Sequence, residues 1–209
     1  MLRNRFFWAG IQLLFVTGVG FSAECGSTPP QKVAIDLWSI RTLVSADQRW
    51  KFLSIGPHTP DQRALLYIQA ADGSRKWLLG WIERDGTAFW SDDSKRLFLR
   101  DEYAADDTKI RVFDLTGSVP HEVKGLDKKI RPAVLDHIPL GQSTLWLTYD
   151  ACFAADDSST LILDADAPFA PNNGGSGTPL RLRLVVDLKA LKVTNVIDIT
   201  QPSTTKKEK

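Results

Sequence analysis

The sequence predicts an all-β fold, and three observations carry that prediction. A Ser-x-Asp turn followed by an apolar, aromatic run occurs twice, starting at Ser45 and again at Ser91, an offset of 46 residues. Short apolar or alternating runs, each bounded by turn-forming residues, recur along 33–199. Fourteen Gly, 11 Pro and a single Met suit a turn-rich chain better than a helical bundle. The 209 residues, 43% hydrophobic and 24% charged, are enough for one domain with its own core. The 26 Lys+Arg and 25 Asp+Glu leave a net charge of +1, which excludes the strongly basic footprint of a nucleic-acid-binding domain.

Taken in order, the chain begins with an export pattern. Arg3 and Arg5 precede an uncharged stretch from Phe6 to Ala23, which ends in small residues at Gly18, Gly20, Ser22 and Ala23. Residues 1–23 therefore read as a secretory signal peptide with cleavage after Ser22 or Ala23. At 18 residues, 6–23 is at the lower bound for an uncleaved membrane anchor, the alternative reading. Either way the expected location is periplasmic or secreted, or tethered to the outer side of the membrane. Glu24 before Cys25 argues against a lipoprotein signal. Residues 24–32 are expected to be flexible. Cys25 and Cys152 are the two cysteines, and in an oxidising compartment they can pair or remain as two thiols.

The body opens with Ser45–Leu53, where Ser and Asp side chains favour a turn and the following run suits a buried strand. Ala64–Gln69 and Lys76–Ile82 follow as strands around Asp72-Gly73, a hairpin signal. The second unit repeats this plan with Ser91–Leu99, Lys109–Asp114 and His121–Lys124. A third, degraded unit offers strands at Thr144–Thr148, Thr160–Leu163, Leu180–Leu188 and Lys192–Ile197. Phe52 and Phe98 hold equivalent positions and are expected to be buried.

The segment Phe89-Trp90-Ser91-Asp92-Asp93-Ser94-Lys95-Arg96-Leu97-Phe98 resembles the W-S-P-D-G-K core of TolB-type β-propeller repeats, and Ile110–Gly117 resembles the strand that follows it. Asp92 stands where the family has Pro, and Ser94 where it has Gly. The likeness covers about two units. It implies a partial or small irregular β-propeller of about three four-stranded antiparallel units, with a β-sandwich as the alternative. Residues 33–199 hold fewer than four repeats of 46, too few for an ordinary closed ring.

Candidate sites are few. Asp101-Glu102, Asp106-Asp107, Asp156-Asp157 and Asp164-x-Asp166 lack the spacing of a calcium loop and read as solvated turns. His58, His121 and His137 stand singly, so no metal or other cofactor is expected. No nucleophile sits in a catalytic motif, so no catalytic residue is assigned. Ala165–Pro179 is rich in Pro, Gly and Asn and reads as a loop insertion. Phe169, Asn172 and Asn173 on that loop, with Trp146, are the candidate binding residues. Replacing Ala167–Gly177 by a short turn is expected to leave stability within about 1 kcal/mol. The tail 200–209 reads as disordered. The expected function is an exported, non-enzymatic module acting by protein–protein contact in the cell envelope, of the inhibitor or immunity type. A small secreted hydrolase or a carbohydrate-binding protein is the alternative. No nucleic-acid partner is expected.

Overall fold

The computed structural model describes Cys25 and residues 31–36, 39–56, 63–104, 107–155 and 157–200. The export segment 1–23, the tail beyond Thr200, Trp38, His58, Asp106 and Asp156 lie outside the described residues.

Among the described residues the fold is all-β with one helix. β1 (Val33–Ile35) is followed by β2 (Arg41–Val44), β3 (Trp50–Ile55), β4 (Ala64–Ala70) and β5 (Lys76–Ile82), which form a four-stranded antiparallel meander. β6 (Gly86–Trp90), β7 (Arg96–Asp101), β8 (Lys109–Asp114) and β9 (His121–Glu122) form a second meander, and β1 pairs with β6 to make it five-stranded. Helix α1 (Asp127–Leu135) and β10 (Gln142–Thr144) lead into β11 (Thr148–Ala154) and β12 (Asp157–Asp166). β13 (Phe169–Pro171), β14 (Arg181–Asp187) and β15 (Lys192–Asp198) are the last of the described elements. The third sheet has the order β11-β12-β14-β15, while β10 and β13 make a separate two-stranded ribbon. Among the described residues none of these sheets closes on itself.

The second sheet lies between the other two because its strands are apolar on both faces. Leu97 and Leu99 of β7 join Phe52, Leu66 and Ile68 of the first sheet in one core. Phe98 between them turns the other way, into a second core with Tyr149, Leu161 and Leu184 of the third sheet. Alternation with both faces apolar is what a doubly covered strand requires. Phe52 and Phe98 are 0% and 2% exposed, as the repeat alignment expects.

The repeated turn is reproduced bond for bond. Ser45 Oγ donates to Asp47 and accepts from the Trp50 amide. Ser91 Oγ does the same with Asp93 and the Arg96 amide. The position after each Asp has left-handed backbone, Gln48 at φ 60° and Ser94 at φ 59°. That is where the resembled motif carries Gly, because a Cβ is disfavoured there. Ser94 has a compensating contact: its buried hydroxyl accepts from the Asp47 amide of the first unit, at 3.0 Å. Ser158 of the third unit donates in turn to Asp93 of the second. The turns of the three units are thus linked along one end of the stack.

Several expectations need correction. α1 was not anticipated, because Pro132 sits inside it and so interrupts its hydrogen-bond ladder. Tertiary packing holds it: Ile130 and Val134 are buried in the second core. The expected strand Thr144–Thr148 is instead the break between β10 and β11, with Leu145 and Trp146 outside both. Ala165–Pro179 is not a bare loop. Ala165 and Asp166 end β12, and Phe169–Pro171 is β13, paired with β10. Ala165, Ala167 and Ala170 are buried, small side chains that allow close packing. Pro168 and Pro171 fit because they lie at the margins of a two-stranded ribbon, where a missing N–H costs no ladder bond. Of the two outcomes left open for the cysteines, pairing is the one found: Cys25 and Cys152 form a disulfide, with Cα atoms 5.7 Å apart.

Candidate functional site

A cleft of about 610 Å3 lies where the edge strand β5 of the first sheet meets β7, β8 and the start of α1. A backbone irregularity shapes its floor. Leu66 pairs with Gly80 and Tyr67 with Leu78, so Leu79 is the extra residue of a β-bulge. Gly80 at φ 126° lets the strand turn there, and a Cβ would meet the Arg111 guanidinium at 3.3 Å. Arg111 uses that space to donate to the Leu79 carbonyl at 2.6 Å. Its Nε and Nη2 also pair with both oxygens of Glu122. The bulge and this arginine therefore join the first two sheets at the base of the cleft.

The cleft wall carries Asp101, Lys109 and Asp127. Asp101 and Lys109 are direct cross-strand partners on β7 and β8. Asp101, expected in a solvated turn, is instead 7% exposed, and its Oδ1 has no hydrogen-bond partner among the described residues. Burial pushes its pKa up to about 6; Arg111 and Lys109 oppose the shift and Glu83 adds to it. Burial also raises Asp127, with Arg131 opposing and Asp107 adding. The rim is aromatic. Trp81 is 49% exposed, although Arg63 lies over its ring, and Tyr103 donates to Asp107, which also binds Arg131. Near neutral pH such a site can offer both hydrogen-bond acceptors and donors, and Asp101 can hold or release a proton.

Trp81 also borders a second surface, the outer face of the first sheet. Register places Trp81 beside Leu65, Leu78 beside Tyr67, and Tyr67 beside Leu53. Leu65, Leu78 and Trp81 are exposed, as is Val44 on β2. The ammonium of Lys76 sits over the Tyr67 ring, leaving a face that is mainly apolar with a cationic fringe. The outer face of the third sheet differs. It carries Asp150, bound to Lys32, and Asp164, which forms a two-point pair with Arg183. Ile162 on that face is buried beside Cys152.

The sequence-derived candidates lie elsewhere. Phe169 is partly buried and packs against the second core, so it is not a free apolar anchor. Asn172 accepts from Ser143 across the ribbon, and Asn173 is exposed in the turn that follows. Trp146 is 43% exposed next to the ribbon, where the Leu145 amide donates to Pro168. The structure gathers these four near β10 and β13, and none of them lines the cleft. Of the acidic pairs, Asp157 binds Ser159 and Thr160 in its own turn, and Asp107 holds Tyr103 and Arg131. No group of three or more potential metal ligands occurs among the described residues. Compared with known protein families and with curated proteins, the sequence matches none.

Proposed function

We propose that this chain is an exported, non-enzymatic binding module that acts through protein–protein contact in the cell envelope. Its three meanders read as propeller-type units in an open arc, which leaves an outer face at each end. One observation carries the functional reading: the two end faces are unlike. The third sheet meets solvent with paired charges, whereas the first presents Leu65, Leu78, Trp81 and Val44. Exposed apolar side chains on the uncovered face of a sheet are a feature of interaction surfaces. The signal-like segment 1–23 and the Cys25–Cys152 disulfide support a location in an oxidising compartment. The tagged protein and its Leu65→Glu/Leu78→Glu variant should be compared for cross-linked partners in envelope fractions. The variant should lose the specific partner at unchanged melting temperature. Equal capture by both proteins would refute docking on this face.

A further inference from the structure

The cleft between β5 and β7–β8 has a chemistry of its own, distinct from that of the apolar face. Two of its charges are already neutralised: Arg111 is held by Glu122, and Glu83 is paired with Arg63. What remains facing the cavity is mixed in sign, two carboxyls from Asp101 and Asp127 and one ammonium from Lys109. A cation entering here meets Lys109, and an anion meets both carboxyls. A neutral ligand carrying hydroxyls is opposed by neither. Its O–H groups can donate to the carboxyl groups of Asp101 and Asp127 that line the cleft, while its oxygens accept from Lys109. Trp81 at the rim adds an apolar surface for C–H groups. The volume of about 610 Å3 lies inside the range of small-molecule sites, about 300–1,000 Å3.

We infer that this cleft binds a short neutral saccharide, with Asp101 and Asp127 as acceptors, Lys109 as donor and Trp81 as the stacking surface. The site shares only Trp81 with the exposed Leu65, Leu78 and Val44 face, and Asp101→Asn, which leaves that face untouched, tests it independently of protein docking there. The assay is calorimetry on the full disulfide-bonded chain with cellotetraose, maltotetraose and chitotetraose, beside tetralysine and trigalacturonate as charged probes. At least one neutral tetrasaccharide should bind at a single site. Asp101→Asn and Trp81→Ala should each weaken it about tenfold or more, about 1.4 kcal/mol. Asp101→Asn is nearly isosteric and Trp81 lies at the rim, so melting curves of both variants will separate lost binding from lost folding. The inference is overturned if no neutral saccharide binds at about millimolar concentration. Tighter binding of tetralysine or trigalacturonate would overturn it too, as would unchanged saccharide affinity in both variants.

Discussion

Asp101→Asn should make the protein more stable at neutral pH and leave it unchanged in acid. The carboxyl is 7% exposed and its pKa is pushed from 3.8 to about 6 by burial. Between those two values the native state holds a proton that the unfolded chain has released. Stability conferred by the protonated carboxyl is therefore complete below about pH 4 and lost as pH rises through about 6. Two pKa units correspond to at most about 3 kcal/mol, and water in the open cleft reduces this to about 1–3 kcal/mol. The asparagine has no charge to bury and avoids the loss. Other carboxylates act in the opposite direction. Asp114, for example, is held below its usual pKa, although burial opposes this, by bonds from Thr116 and the nearby Arg96. For this reason the informative quantity is the difference between the two proteins. Urea unfolding at about pH 4, 5, 6 and 7.5 measures it. The curves should coincide near pH 4 and separate progressively, with the variant ahead above pH 6. A gap that does not change with pH, or a wild type that is more stable at pH 7.5, would mean that Lys109 and Arg111 fully compensate the buried charge.

Three other outcomes test the packing. Phe52→Ala and Phe98→Ala should each cost about 3–5 kcal/mol in chemical denaturation, because each empties a closed core. Gln48→Gly should raise stability by up to about 1 kcal/mol by relieving left-handed backbone. Ser94→Gly should instead lower it by about 1 kcal/mol, since the Asp47 amide loses its acceptor; the order of the two melting temperatures is the test. Replacing Asn172–Gly177 with a short Gly/Ser turn should change stability by less than about 1 kcal/mol. Extending the replacement to Ala167–Gly177 removes β13 and buried alanines and should cost about 2 kcal/mol or more in the same melts.

The parts of the fold that could be read from the sequence were those set by local chemistry. Ser45 and Ser91 announce their turns because a hydroxyl and a carboxylate at that spacing bond the backbone beside them. β5 and β8 fall on the residues expected, since alternation and hairpin turns set their register. What escaped was set by distant contacts. Helix α1 depends on Ile130 and Val134 reaching a core built from two sheets, and Pro132 conceals it. The β10–β13 ribbon is hidden in a composition that reads as loop, although Ala165, Ala167 and Ala170 are buried. Asp101 looked like a turn residue because it belongs to the acidic run of Asp101-Glu102 and Asp106-Asp107 between two strand-like segments. Only the approach of β5 and β8 buries it. The apolar end face did leave a trace. Ala64–Ile68 is apolar at every position, although only one of its faces meets another sheet.

The route of the chain before β2 has a consequence for the order of assembly. Cys25 is bonded to the third sheet and Lys32 to Asp150 on the same sheet; β1 then pairs with β6 of the second sheet, and β2 enters the first. Through Cys25, Lys32, β1 and β2 the chain is thus tied to all three sheets in turn, like a strap across the stack. The strap is made early in synthesis, yet its anchor at Cys152 comes 127 residues later. Each sheet can form by local hairpins as it emerges, but the strap can be fastened only when β11 has been made. Until then Cys25 and Lys32 lack their partners on the third sheet, and a weakly held β1 leaves β6 as an open edge able to recruit a foreign strand. Aggregation during refolding should therefore depend on how quickly the two ends of this long loop meet, rather than on the stability of any single sheet.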